Sequence, residues 1–393
     1  MFKRVTFIVN YNLYDSKRHF TKKLAEAMQR KGIETSIIDV QEQEIDASMG
    51  KEIQQQRPDF TCSFNHLKPL PNHKFLWDIL QIPHFSPLVD PALYSVELTN
   101  SPYSIISSVD RSDVSALHSK CPSAFFWPHA IERDLEAGSG ERPYDAVFLG
   151  SCYDYEGLRT HWRSQYPKEI NRALDDAIEM ILSNLSLSLA QALVTACNSA
   201  QIQLTPDIDF MELFYYLDYY TRGKDRVELI RSIKDTPVHI FGELVDDHPS
   251  SKNGWKHYLG SQSNVTLHPS VPFAESLKIL QQSKICLNSM PFFKNGSHER
   301  VLASLAAGAV PITSNSRFWQ DHFKEGEEFV SYSPGRYQNV NAWVKELVQN
   351  EKKRSQMAAQ GREKVMKHHT WDTRVDQLEG ALHLNPAKGF APS

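Results

Sequence analysis

The run from Asn288 through Ser289, Met290, Pro291, Phe292, Phe293, Lys294, Asn295, Gly296, Ser297, His298, Glu299 and Arg300 concentrates groups that hold anions and recognise hydroxyls. An apolar strand, Ile285 to Ser289, leads into it, and a helix is predicted from His298 to Ala307. The start of such a helix exposes unpaired N–H groups and a partial positive charge, which suits a phosphate. Gly296 permits close approach of the backbone, and Ser297 can donate a hydrogen bond or cap the helix. Lys294, His298 and Arg300 can supply positive charge. Glu299 can accept hydrogen bonds from sugar or ribose hydroxyls. A simpler reading fits the same letters equally well: Ser297 as a plain cap, Glu299 as a complement to the helix dipole.

The elements that must position this loop read as an α/β chain. Val5 to Val9 is a short apolar strand, Phe20 to Arg30 a helix, and Ile33 to Val40 the next strand, a β-loop-α-β unit that implies a parallel sheet. Strands are predicted at Asp59–Phe64, Ser104–Val109 and Ala124–Trp127, with an extended segment at Ile82–Val89 and short helices at Lys74–Leu80 and Ser112–Ser119. These make a first domain over residues 1–135. Asp134 to Pro143, polar with two glycines and a proline, is the linker. A second α/β series over 143–370 opens at Tyr144–Gly150 and resumes at Val238–Gly242. Between them lies an insert at about 158–235, predicted helical at Ile170–Leu182, Leu187–Cys197 and Met211–Tyr220. The third of these helices is dense in tyrosine and phenylalanine, which fits either an aromatic core or an acceptor or partner surface. Asp207-Ile208-Asp209 has the letters of a metal-binding DxD but stands where a helix begins, so it reads as a cap, and no metal site is expected. A terminal helix at 370–384 is placed to pack back on the first domain, and 385–393 reads as a disordered tail.

Composition narrows the classes. The formal net charge of -4 gives no footprint for nucleic acid. The five cysteines, Cys62, Cys121, Cys152, Cys197 and Cys286, form no CxxC pair and suggest a reducing, cytoplasmic setting. The first forty residues hold eight basic residues against four acidic ones, a patch for peripheral contact with an anionic membrane or simply a solvated helix face. P-loop and GxSxG patterns are absent.

Gly296–Gly308 and its continuation, GSHERVLASLAAGAVPITSNS, resemble the donor-binding element of GT-B glycosyltransferases. They are most similar to the CgeB-like spore-maturation group, with its G-x-H-E-R-[VL]-F-E-[AS]-[ML]-A-x-G pattern. Tyr144–Gly150, His268–Asn288, Gly326–Tyr332 and His368–Leu378 resemble other pieces of that C-terminal domain, in the same order. The resemblance implies two Rossmann-like doubly wound domains with a helical insert in the second, and transfer of a sugar from a nucleoside diphosphate, with a UDP-sugar expected, to a glycan, lipid or protein. It implies catalysis by helix dipole, backbone N–H and basic side chains, with no metal cofactor.

Several site residues follow from that resemblance. Gly150 and Ser151 join Asn288, Lys294 and Gly296 to Arg300 as donor-binding candidates. Gly242, His268 and Val271 border the expected nucleobase position. Asp15, His66, Asp90 and His129 are the first-domain candidates for a general base, which an inverting enzyme would need. The chain also departs from its relatives. Many carry a ribose-binding glutamate where this sequence has Ala303; Glu299, one turn earlier on the same helical face, could substitute. A glycine-rich first loop is replaced by Asn10-Tyr11-Asn12, of which Tyr11 or Asn12 could face the cleft. The alternative reading is a two-domain protein that binds a nucleotide or sugar without turnover.

Overall fold

The computed structural model describes residues 2–10, 12–41, 47–65, 67–70, 72–203, 208–243 and 253–383. Tyr11, His66 and the 385–393 tail lie outside these. The first domain holds β1 (Arg4–Asn10), α1 (Ser16–Arg30), β2 (Glu34–Gln41), α2 (Ala47–Gln56), β3 (Phe60–Cys62), α3 (Leu76–Leu80), β4 (His84–Leu88), a 3-10 segment (Ala92–Asn100), β5 (Ser104–Ser108), α4 (Arg111–Leu117) and β6 (Phe125–Phe126). Its six strands run β2-β1-β3-β4-β5-β6, all pairs parallel. The second domain starts with β7 (Tyr144–Leu149). It continues through four helices, α5 (Tyr155–Gln165), α6 (Lys168–Ser183), α7 (Leu189–Ser199) and α8 (Phe210–Arg231). Then come β8 (Val238–Glu243), α9 (Trp255–Leu259), β9 (Val265–Pro269), α10 (Phe273–Gln281), β10 (Ser283–Asn288), α11 (Glu299–Ala307), β11 (Val310–Ser314), α12 (Arg317–His322) and β12 (Val330–Tyr332). The series closes with α13 (Val340–Gln349), α14 (Glu351–His368) and α15 (Trp371–His383). The second sheet is also six-stranded and parallel, in the order β12-β11-β10-β7-β8-β9. Both orders reverse beside a central strand, where open α/β sheets form a crevice at their carboxyl ends.

The inner strands β1, β3, β4, β5, β10 and β11 are covered on both faces, whereas the edge strands β2 and β9 are partly exposed. Val5, Phe7 and Val9 point to one side of β1 and Thr6 and Ile8 to the other, and all five are buried. α1 buries Phe20, Leu24, Ala27 and Met28 as a stripe. Elements not foreseen are α2 and the 3-10 segment at Ala92–Asn100 in the first domain, and α5, α9, α12, α13 and α14 in the second. The largest difference is α8, which runs past Tyr220 to Arg231. Its second half mixes charged and apolar residues without an amphipathic stripe, yet Asp218, Arg222, Asp225 and Arg226 are as buried as its leucines. At the start of this helix Asp209 accepts from the N–H groups of Met211 and Glu212, so it acts as a cap.

The linker lies against the second domain. Gly138 N–H donates to Ala307 O, and Arg142 donates to the carbonyls of Ser283 and Ala307. The chain returns through α15, whose Trp371, Val375, Leu378 and Leu382 enter the first-domain core beside Phe20, Phe64 and Trp127. Where the two crossings meet, Ile131 N–H donates to His369 O and Trp371 N–H to Ile131 O, each at 3.0 Å. The basic residues of the first forty also serve this packing: Arg30 pairs with Asp372 at 2.7 Å, and Lys31 pairs with Asp376. Among the described residues no helix is long and apolar enough to cross a membrane.

Trp371 is 2% exposed. Trp371→Ala should therefore cost about 3–5 kcal/mol, read as a lowered urea midpoint for the first domain.

Candidate active site

The centre of the site is a backbone turn. β7 ends at Gly150, whose φ of +146° is open to glycine at little cost. Gly150 N–H donates to Phe241 O, and its carbonyl accepts from Trp255 Nε1, both at 3.0 Å. A Cβ on Gly242 would sit 1.9 Å from that same carbonyl, so only glycine lets the ends of β7 and β8 come this close. Gly242 thus shapes the turn from behind. Over the turn hang two guanidinium groups. Arg226 Nη1 and Arg300 Nη2 each lie 3.7 Å from where a Cβ of Gly150 would be.

Both arginines are held in place. Arg226 Nη1 donates to Ser151 O at 2.7 Å, and its Nε is buried without a hydrogen-bond partner among the described residues. Arg300 Nη1 donates to Asn288 Oδ1 at 2.9 Å, and Asn288 is fixed in turn by donating to Thr313 Oγ1. Burial, and the neighbouring Arg226, pull Arg300 below the ordinary arginine pKa, while Glu299 opposes them. Two buried cations sharing one glycine turn with one carboxylate favour an anion there.

The loop before α11 does something other than meet a phosphate. Asn295, Gly296 and Ser297 dock on the end of β5: Arg111 N–H donates to Asn295 O, Ser297 N–H to Val109 O, and Asn295 N–H to Asp110 Oδ2. A Cβ on Gly296 would lie 2.8 Å from Asp110 Oδ2 and 2.9 Å from Val109 O. Gly296 and Ser297 therefore join the domains. Lys294 turns away from the cleft; its buried ammonium donates to Ile181 O in α6 at 2.6 Å, and burial pulls its pKa down to about 8. The cap of α11 is His298, whose Nδ1 accepts from Arg300 N–H at 3.2 Å.

That cap fixes a proton inventory around Glu299. With Nδ1 accepting, neutral His298 carries its proton on Nε2, which is 3.3 Å from Glu299 Oε2. His129 is buried at the end of the first sheet; its N–H donates to Ser297 Oγ at 2.8 Å, and its Nδ1 faces Ser297 O at 3.1 Å. This places the proton of His129 on Nδ1 and turns Nε2 toward Glu299 Oε2 at 3.4 Å. Burial lowers the pKa of His129 to about 3, so this contact is with a neutral ring and not an ion pair. Burial also raises Glu299 above the usual carboxylate range, against the pull of Arg300.

Glu299 and Arg300 open onto a cavity of about 550 Å³ between the domains. Tyr14 and Ser16 line it from the first domain, and Gly150, Phe241, Val271, Phe273 and Ala303 from the second. Tyr14 spans the gap: its hydroxyl meets Ser151 Oγ and its carbonyl accepts from Phe273 N–H. His268 stacks on Phe241 with centroids 4.3 Å apart and bonds His239 Nδ1 through Nε2 at 2.9 Å, so it backs the cavity wall.

The first-domain candidates separate. Asp15 precedes α1 and is paired with Arg18, which also binds Asp39 at the surface. Asn12 accepts from Lys17 N–H and donates to Ser16, so it organises the start of α1. Asp90 is exposed past the end of β4 and accepts from Asn65 Nδ2 at 2.9 Å. Sequence reading missed Arg226, Tyr14 and Phe273. The signal for Arg226 was the four-residue spacing Asp218, Arg222, Arg226, a charged stripe inside an aromatic helix. Nothing in its spacing marks Phe273 as facing Tyr14.

Residues 224–380 match the family described as glycosyl transferase-like. The matched stretch begins inside α8, so it contains Arg226 together with Arg300 and leaves out the rest of the helical insert. Over the whole chain, the fold is the GT-B pair of Rossmann-like domains. A glycosyltransferase from Rickettsia africae superposes with a TM-score of 0.56 at 8% identity, over 99% of each chain. Sucrose-phosphate synthase from Thermosynechococcus elongatus gives 0.56 at 8%, over 97% of this chain and 98% of that one. Anabaena HepE, in complex with UDP and glucose, gives 0.55 at 10%, over 97% and 100%. A Drosophila melanogaster relative, peptidoglycan-recognition protein LD, is 31% identical over 113 residues, 27% of this chain. The chain spans 37% of the length of that curated relative.

Three buried neutral histidines make the native state acid-sensitive. His84, held between Thr61 and Ser63, is lowered by burial to about 3, like His129, and His369 is lowered to about 2. Each folded pKa is below the unfolded value near 6.5, so this stability is complete above pH 6.5 and is lost as pH falls toward 3. Each should cost about 2 kcal/mol between pH 6.5 and 5. Denaturation at a series of pH values checks this, and His84→Gln should remove about one proton from the slope.

Proposed function

We propose that the protein is a glycosyltransferase that moves a sugar from a nucleoside diphosphate, a UDP-sugar, to an acceptor hydroxyl of a glycan, lipid or protein. The observation that carries the reading is the convergence of Arg226 and Arg300 on the Gly150 turn, at the edge of an interdomain cavity. The diphosphate lies on that turn. The nucleobase rests toward Phe241 and Val271, backed by His268, and Glu299 accepts from hydroxyls of the donor. Anabaena HepE, solved with UDP and with UDP-glucose, supports uridine as the base. The Gly296–Arg300 motif supports placing the chain with the CgeB-like group. Its five cysteines are free and buried, in keeping with a cytoplasmic setting.

In the reaction the bond from the anomeric carbon to the β-phosphate oxygen breaks, and its electron pair leaves on the diphosphate. Arg226 and Arg300 stabilise the charge that develops there, in a site already organised before the reaction, and so do the work a metal ion does elsewhere. The acceptor oxygen bonds to the anomeric carbon, and Asp90 takes its proton. His298 orients Glu299 by donating from Nε2, and neutral His129 packs beside the same carboxyl. Ala303 leaves the cavity without a second carboxylate, so Glu299 alone serves the donor hydroxyls.

Calorimetry with UDP, GDP, dTDP and CMP tests the reading. UDP should bind with the same affinity in Mg²⁺ and in EDTA. Arg226→Met and Arg300→Met should each weaken it about 10- to 100-fold, the loss expected for a charged hydrogen bond. Glu299→Gln should keep UDP binding and lose transfer or hydrolysis of the UDP-sugar. If no nucleotide binds, the donor site is wrong. If UDP-sugar binds and is never turned over with any acceptor, the protein is a binding module.

A further inference from the structure

A line of aromatic rings leads from the donor turn to solvent. The guanidinium carbon of Arg226 lies 4.8 Å from the ring centroid of Tyr153. Tyr153 meets Tyr219 edge to face at 4.8 Å, and Tyr219 meets Tyr215 at 4.1 Å with 31° between the rings. Tyr215 is 40% exposed, one of the few large apolar rings on the surface. Its neighbours on α8 have other work: Tyr216 donates to Glu212, Tyr220 accepts from Arg159, and both are buried. The hydroxyls of Tyr215 and Tyr219 have no hydrogen-bond partner among the described residues. The fold of the insert therefore accounts for Tyr216 and Tyr220 and leaves Tyr215 and Tyr219 at the outer end of the aromatic line.

The groups around this line are polar. Arg222 lies 5.8 Å from the Tyr219 ring and feels the charge of Asp90 across the cleft. Beside Asp90 stand Asn65, which donates to it, and Lys17, whose Nζ reaches Asn10 Oδ1 at 3.4 Å. The side chains gathered around the line are phenol, carboxamide, carboxylate and ammonium. A pyranose fits them. Its axial C–H bonds pack on the electron-rich face of an aromatic ring, and its equatorial hydroxyls reach acceptors and donors at the rim.

We propose that the acceptor is a carbohydrate, and that one of its sugar rings stacks on Tyr215 and Tyr219 with its reacting hydroxyl directed toward Asp90 and the donor turn. This rests on the glycosyltransferase reading and names its acceptor class. It also gives the helical insert a task, to carry the acceptor platform on the helix that supplies Arg226 to the donor.

Saturation-transfer NMR on the full chain tests it, with maltotriose, cellotriose and triacetylchitotriose as probes, UDP present, and geranyl phosphate as the lipid comparison. At least one trisaccharide should receive saturation. Tyr215→Ala, at an exposed position, should weaken that binding about tenfold and leave UDP affinity unchanged. Tyr219→Phe should retain the sugar and Tyr219→Leu should lose it, since the ring face and not the hydroxyl is used. Binding unaffected by these changes overturns the proposal, as does saturation of geranyl phosphate alone or of no probe. Failure of UDP to bind the unaltered chain would instead refute the donor site.

Discussion

The structure depends on one joint. Asn295, Gly296 and Ser297 lie against Val109, Asp110 and Arg111 as a short antiparallel contact, made by backbone hydrogen bonds with no room for a side chain on Gly296. Backbone bonds of this kind set distance and angle more tightly than side-chain packing does. They fix the start of α11 against the first sheet, and with it Glu299, Arg300 and the cavity edge. Ser297 extends the joint to His129, so the two sheets meet along their carboxyl ends rather than drifting apart on a linker. The second crossing, Ile131 against His369 and Trp371, holds the opposite side, and Arg374 clamps it by donating to the carbonyls of Pro128 and His129.

The long helix α8 binds the insert to both domains. Asp218 is fully buried, pairs with Arg222 through two hydrogen bonds, and accepts from Tyr94 of the first domain. Two turns further, Asp225 accepts from Ser289, Tyr332 and Tyr337, which anchors α8 to the second sheet. Buried charges are tolerated only when satisfied, and here each carboxylate is. Arg226 is the exception, with an orphan Nε.

Function follows from which charges the fold leaves unsettled. Lys294 is used up by Ile181, Asp15 by Arg18, and Gly296 with Ser297 by the domain joint. Arg300 and Glu299 face the cavity, Arg226 lies over the Gly150 turn at its edge, and Asp90 is exposed past the end of β4. The neutral histidines beside Glu299 contribute orientation without adding charge, because burial has already removed their protons.

The sequence by itself determined the two α/β domains, the helical insert, the return of the last helix and the importance of the 288–300 loop. These are written in local patterns: apolar strands, helical spacing, a cap position and a glycine. It also singled out Glu299, Arg300 and Gly150, which line the interdomain cavity. Only the tertiary structure decided what each loop residue does, because Gly296 and Ser297 look the same in sequence whether they cradle a phosphate or join two domains. The same holds for Arg226, which lies 76 residues past Gly150 in the chain. α8 brings the two together, and no local rule places a cation from a helical insert over a glycine turn.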